Sequence, residues 1–250
     1  MIILKFGGTS VSSAKSLKTI VDIVKEQKAQ NPIVVVSAVS NVTDLLLSLL
    51  NNRENKKTII KQIENLHLNL IEDYYGKVPS KLRGYILDCL KKVNKLLNGN
   101  VTSLELCDEI ISFGEIMSSY IITNILNESN INARQITAAL LIITNDHFGS
   151  AEFLPSETQQ KTKKILLPII KKEIVPVVTG FIGQTKNGKT TTLGRGGSDY
   201  TAAILGFCLK ATEIQIWTDV DGIFTSDPKL TKKAKVISDV SYKEASELAA

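Results

Sequence analysis

The sequence predicts an α/β fold, a three-layer αβα sandwich with a mainly parallel central sheet and a helical insert. Three observations predict it. Residues 2–6 (IILKF) form a short β-rich run that breaks at Gly7-Gly8 and leads into a helical period. Residues 33–36 (IVVV) are continuously apolar, as in a strand buried on both faces of a parallel sheet. Strand, helix and strand at this spacing make a βαβ unit.

The elements follow in order. Thr9-Ser10 are placed to cap the first helix, in which Val11, Ala14, Leu17, Val21 and Val24 recur at helical spacing. A helical insert is expected over about 45–127, with helices at 45–50, 59–75, 82–97 and 104–126. Breaks fall at 76–80 and at Asn98-Gly99-Asn100. Strands return at 133–136 and 174–178, with a helix near 158–171 between them. Residues 181–193 read as a hairpin turning at Asn187-Gly188. A helix at 198–209 and a buried strand at 213–217 follow. Residues 242–250 read as an amphipathic helix that stops without a glycine cap. The expectation is one domain over 1–250, cut short at its C-terminal end.

The 250-residue chain is 43% hydrophobic and 22% charged, ordinary for a globular protein with a sizeable core. Its net charge is +5, but the lysines are spread along the chain instead of concentrated on one face, which argues against nucleic acid as a partner. No apolar run reaches the roughly 18 residues of a membrane span. Cys89, Cys107 and Cys208 are far apart in apolar surroundings and read as buried free thiols of a reducing, cytoplasmic compartment. His67 and His147 are isolated and read as structural. No metal-ligand spacing is present.

Five segments carry chemistry. The most informative is Thr192-Leu193-Gly194-Arg195-Gly196-Gly197-Ser198-Asp199-Tyr200, which runs straight into a helix. Glycines admit close backbone approach, a helix N-terminus offers unpaired N–H groups to an anion, and arginine adds a planar fork for carboxylate or phosphate. Lys5-Phe6-Gly7-Gly8-Thr9-Ser10 lies at a strand's carboxyl end, where open parallel sheets bind ligands. A lysine there can neutralise a phosphoryl group, and the glycine amides can hold its oxygens. Ser37-Ala38-Val39-Ser40-Asn41-Val42-Thr43 opens at the same edge, either to contact substrate or to cap the next helix. Ser112-Phe113-Gly114-Glu115 sits within a helix, and Glu115 is either an ammonium ligand or an exposed surface charge. The segment from Trp217 to Lys229 offers Thr218, Asp219, Phe224 and Lys229 to a nucleotide. By contrast, Gly183-Gln184-Thr185-Lys186-Asn187-Gly188-Lys189-Thr190 matches the P-loop pattern, but Thr191-Thr192-Leu193-Gly194 cannot begin the helix a P-loop needs.

Together the segments around Lys5, Arg195 and Trp217 resemble, in order and spacing, the signatures of the aspartate kinases of the amino acid kinase superfamily. The resemblance implies ATP-dependent phosphorylation of the β-carboxylate of L-aspartate, the first step toward lysine, threonine and methionine. It implies Lys5 and Asp199 as catalytic residues, with Asp199 orienting Lys5. Ser37, Thr43, Glu115 and Arg195 would bind substrate, Glu115 at the α-ammonium and Arg195 at the α-carboxylate. Lys5, Gly7, Gly8, Gly196, Gly197, Ser198, Thr218, Asp219, Phe224 and Lys229 would bind nucleotide or phosphate. Relatives often carry Tyr and Arg where this chain has Phe224 and Lys229. Mg²⁺ is implied, held mainly by ATP phosphates, as is a homo-oligomer, a dimer, for the full-length protein. The family continues past this chain into a lysine-containing segment and regulatory ACT domains. The alternatives are another family member acting on glutamate, acetylglutamate or carbamate, or a non-catalytic binding fragment. The acceptor carboxylate is already ionised at neutral pH, so no general base is needed, and no histidine stands at any motif.

Overall fold

The computed structural model describes residues 1–51, 54–98, 103–220, 222–226, 231, 233–241 and 243–245. Met1–Trp217 form one compact unit and Thr218–Ala250 a second.

The first unit is built on a five-stranded sheet, all parallel: β1 (Ile2–Phe6), β2 (Pro32–Val36), β3 (Ala133–Ile136), β5 (Val175–Thr179) and β8 (Glu213–Trp217), in the order β3-β5-β2-β1-β8. Strand pleating sends alternate residues to opposite faces. Ile2, Leu4, Phe6, Val34 and Val36 pack on one side with helix α1 (Ala14–Glu26) and the insert helices α2 (Val42–Asn51), α3 (Lys56–Tyr75), α4 (Ser80–Leu96) and α5 (Leu104–Glu128). Ile3, Ile33, Val35 and Val178 pack on the other with α6 (Pro155–Ile170) and α7 (Gly197–Leu209). This is the expected sandwich, with helices α2 to α5 following one another between β2 and β3.

Four details depart from expectation. A second sheet is present, β4 (Ile143–Thr144), β6 (Ile182–Thr185) and β7 (Thr190–Thr192). Its two-residue strand β4 is too short to leave a periodicity, whereas the β6–β7 hairpin turns at Gly188 as read. Thr9–Val11 form a 3₁₀ turn, so Val11 precedes the first helix, and Ser13 caps α1 by accepting from the Ser16 N–H at 3.1 Å. Strand β8 is an edge strand with Ile214, Ile216 and Trp217 exposed, not a buried one; apolar composition alone does not separate edge from centre. Cys107 is only half-buried, although Cys89 and Cys208 are buried and all three thiols are free. The break at Gly99-Asn100 lies outside the described residues. Of the helix expected at 242–250, residues 243–245 are helical and the rest lies outside them as well.

His67, on α3, is fully buried, with Nδ1 2.8 Å from the Ile63 carbonyl and no hydrogen-bond partner for Nε2 among the described residues. Burial pushes its pKa down to about 4 from 6.5. The folded state therefore holds a neutral ring while the unfolded chain protonates first. Stability contributed by the neutral ring is complete above pH 6.5 and is lost as pH falls toward 4. At pH 5 the loss comes to about 2 kcal/mol. His67→Leu should remove this acid-sensitive component, so the gap in urea midpoint between pH 7 and pH 5 should narrow; an unchanged gap would contradict the burial argument.

Candidate active site

The carboxyl ends of β1, β2 and β5 open into one cleft, of about 760 Å³, between the insert helices and the N-terminus of α7. Lys5 lies one residue before the end of β1 and is 7% exposed. It shares the pleat side of Ile3, the side that α7 covers, and its Nζ lies 2.7 Å from Asp199 Oδ1 in the first turn of α7. Burying an ammonium is costly unless it is paired, and Asp199, itself half-exposed, provides that pairing while leaving the cation facing the cleft. Gly8 also lines the cleft. The Gly7 N–H donates to the Trp217 carbonyl at 3.3 Å, which continues the β1–β8 ladder, so Gly7 as a phosphate donor would have to release that bond.

Ser37 and Thr43 line the cleft on the β2 side. Ser12, which the sequence reading passed over, ties the Gly7-Gly8 turn to the turn after β2: its hydroxyl donates to the Gly8 carbonyl and accepts from the Ser40 N–H at 2.8 Å. The sequence signal was there, a hydroxyl four residues after a loop glycine, but such residues are common in turns.

Glu115 is buried at 3% exposure, so the exposed-charge reading does not hold. One carboxylate oxygen accepts from the Ala38 N–H at 3.2 Å; the other is buried and has no hydrogen-bond partner among the described residues. Desolvation pushes its pKa up to about 8. A buried, half-satisfied carboxyl group at a cleft wall is suited to receive a cation. Gly114 makes this possible: a Cβ there would stand 2.8 Å from the Ala38 side chain, so only glycine lets α5 close onto the β2 end. Gly114→Ala should cost about 1–3 kcal/mol of stability through overpacking. It should also weaken binding of the cation that Glu115 receives, because the Ala38–Glu115 bond must lengthen. Thermal denaturation beside substrate titration checks both.

The loop between β7 and α7 closes the cleft. Gly194 and Gly196 have φ of 77° and 71°, left-handed geometry that glycine adopts without strain, and Gly196 forms the N-cap of α7. Arg195 between them is exposed at the cleft wall, while Gly197 and Ser198 in the first turn of α7 are buried at its floor. Among the described residues the Arg195 guanidinium and the second Glu115 oxygen have no partner, and both groups line the cleft with capacity for a ligand.

Asp108 is a cleft residue that the sequence reading missed. It is 1% exposed on α5, and burial pushes its carboxyl pKa up. Its partners are Thr192 Oγ1 at 2.8 Å, the Thr192 N–H at 2.9 Å and the Gly149 N–H at 2.9 Å. Its spacing of seven from Glu115, two helical turns on one face, was the available signal.

The P-loop pattern forms the β6–β7 hairpin, with Lys189 paired to Glu105 at 2.7 Å and no helix behind it. The nucleotide residues of the sequence reading belong to the second unit. There the Thr218 hydroxyl donates to Asp219 Oδ1 at 3.1 Å, and Phe224 pairs with Val236 in an antiparallel bridge. Lys229 lies outside the described residues. Among the described residues no three His, Cys, Asp or Glu side chains converge as a metal site, and no helix is long and apolar enough to cross a membrane.

Comparison with known proteins places the chain as a whole. The sequence is 37% identical over 253 residues to lysine-sensitive aspartokinase 3 of Escherichia coli, covering all of this chain and 56% of that protein. It is 35% identical to the chloroplastic aspartokinase 1 of Arabidopsis thaliana, covering 99% of this chain and 45% of that protein. The chain thus spans about half the length of the curated relatives it matches. The structure superposes on E. coli aspartokinase III in complex with aspartate and ADP with a TM-score of 0.92 at 35% identity, over all of this chain and 56% of that one. An isopentenyl phosphate kinase at 14% identity and a TM-score of 0.54 shares the fold alone. The amino acid kinase family model matches residues 1–250. With a parallel sheet whose carboxyl edge carries the glycine turns and paired Lys5, and a family match over its whole length, the chain belongs to the amino acid kinase family.

Proposed function

We propose that this chain is the catalytic domain of an ATP-dependent aspartate kinase, forming L-4-aspartyl phosphate. The observation that carries the reading is the cleft lined by Glu115 and Arg195, in which, among the described residues, one buried Glu115 oxygen and the Arg195 guanidinium are without partners. Opposite charges on one cleft suit the two ends of an α-amino acid. Likeness to the aspartokinase solved with aspartate and ADP supports the same substrates here.

In the reaction, a β-carboxylate oxygen attacks the γ-phosphorus, the bond to the bridging oxygen breaks, and ADP leaves. The acceptor is ionised at neutral pH, so no proton has to move. Lys5 neutralises charge on the phosphoryl oxygens in flight, and Asp199 holds its ammonium in place. Ser37 and Thr43 line the amino-acid pocket, and Gly8, Gly196, Gly197 and Ser198 face the phosphates. Thr218, Asp219, Phe224 and Lys229 are proposed for the nucleotide, residues 1–250 acting as one catalytic domain. Mg²⁺ would be bound chiefly by phosphate oxygens; the half-exposed carboxylate of Asp199 beside Lys5 is a hard oxygen ligand that fits it. It would supply charge neutralisation at the phosphates. Cytoplasmic location, a homodimeric parent protein, and service to lysine, threonine and methionine synthesis are parts of the same proposal.

The test is an acceptor panel on the protein that carries this chain, with hydroxylamine trapping the acyl phosphate. Aspartate with MgATP should give hydroxamate well above glutamate, acetylglutamate and carbamate. Preference for one of these would place the chain elsewhere in the family. Calorimetric binding of ATP analogue and aspartate without turnover would mark a binding module.

A further inference from the structure

We propose that Asp108 is a positioning residue that sets the amino-acid specificity of the cleft, by fixing the Arg195 loop to the helix that carries Glu115. The inference rests on the aspartate reading above and deepens it.

Both oxygens of Asp108 are occupied. Oδ1 accepts from the Thr192 hydroxyl, and Oδ2 from the Thr192 N–H and the Gly149 N–H. At 1% exposure, with both oxygens so engaged, it has little to offer a ligand directly. Its partners flank the loop instead. Thr192 is the last residue of β7 and stands two residues before Gly194, where the chain turns into the left-handed region to present Arg195. Gly149 lies across from that turn: a Cβ on Gly194 would meet Ser150 Cβ at 3.4 Å and the Gly149 carbonyl at 3.5 Å. The Ala151 N–H donates to the Thr192 carbonyl at 2.8 Å and closes the clamp. One carboxylate therefore holds both sides of the Gly194 turn.

The anchoring element matters as much as the anchor. Asp108 and Glu115 are seven residues apart on α5, two turns along one face, separated by roughly 10 Å of rise. A rigid helix thus carries the proposed ammonium acceptor at one point and the fastening of the carboxylate-binding loop at another. The span between Glu115 and Arg195 is fixed by that helix, and it is this span that selects a zwitterion with its two groups on one carbon. A buried carboxylate is a costly way to hold a loop, since it must be desolvated. The charge-assisted hydrogen bonds it receives are correspondingly stronger than neutral ones, and they suit a loop whose two glycines, Gly194 and Gly196, would otherwise leave it free.

Asp108→Asn separates the possibilities. The amide keeps the shape but has one accepting oxygen, so its NH₂ group must face either the Thr192 and Gly149 N–H donors that share Oδ2, or the Thr192 hydroxyl at Oδ1, which must then turn to accept; in both arrangements the clamp loses the charge that strengthens it. Aspartate uses both Glu115 and Arg195, whereas β-alanine, which is aspartate without its α-carboxylate, uses only the former. The expected result is a rise of tenfold or more in KM for aspartate, with KM for ATP and the inhibition constant of β-alanine within twofold of wild type. A structural role alone would move all three together. Either parallel changes in all three or a KM for aspartate within twofold of wild type would overturn the proposal. If Asp108→Asn does not fold, Thr192→Val carries the same test, removing the hydroxyl donor while keeping the backbone one, with a threefold selective rise expected. If wild type makes no aspartyl hydroxamate, the functional reading fails; if it does and the variants behave like it, only the role of Asp108 fails.

Discussion

Replacing Lys5 with methionine should lower kcat for aspartyl phosphate formation by about 10²–10³-fold, the range seen when one preorganised charge donor is removed from a transition state. Lys5 is the buried cation at the carboxyl end of the central sheet, held 2.7 Å from Asp199. Methionine fills a similar volume and removes the charge, and Asp199, being half-exposed, returns to water without a large penalty. The protein should therefore stay folded, with aspartate KM nearly unchanged, because the loss falls on the transition state and not on the bound substrate. Steady-state kinetics with a melting curve on the same sample checks both halves. Full activity in the variant would remove Lys5 from the mechanism.

The second large effect is at Glu115. In the ligand-free protein its carboxyl group titrates near pH 8, because burial disfavours the charged form. Below that pH the group is largely protonated, and an arriving ammonium must displace the proton. Aspartate affinity should accordingly rise with pH, by up to tenfold per unit from pH 6 toward 8, and level off above it, with one proton released per aspartate bound. Folding linkage runs the other way: the unfolded carboxyl ionises from about pH 4.5, so this group's contribution to apo stability is full below that pH and is lost as pH rises toward 8. Glu115→Gln keeps an acceptor for the Ala38 N–H but no charge. It should raise aspartate KM by about 10²-fold, as expected when a charged hydrogen bond is lost, and flatten its pH dependence. Calorimetry in buffers of different ionisation enthalpy reads the released proton. A variant that keeps the wild-type slope would show that another group titrates.

The layers and the insert were legible because their signals are strong. Continuous apolar runs such as 33–36 mark central strands, and long 3.6-residue periods mark α3 to α5. Strand β4 was invisible because two residues carry no period, and β8 was misplaced to the interior because an apolar edge strand reads like a central one. In the site, Lys5, Arg195 and Asp199 stood out through their glycines. Glu115 remained ambiguous, since burial is a property of the packed helix and Gly114 gave the only hint of close approach. Asp108 was missed because its partners, Thr192 and Gly149, are distant in sequence and two of the three donors are backbone amides that no residue type reveals.

The central claim is that phosphate is placed on the side-chain carboxylate of aspartate. The most direct measurement is ³¹P and ¹³C NMR of the protein carrying this chain, with MgATP and aspartate labelled with ¹³C at the β-carboxyl carbon. The predicted result is a new phosphorus resonance coupled to the labelled carbon, appearing as ADP forms and absent in the Lys5 variant. ADP formation with no phosphorus coupled to that carbon would contradict it.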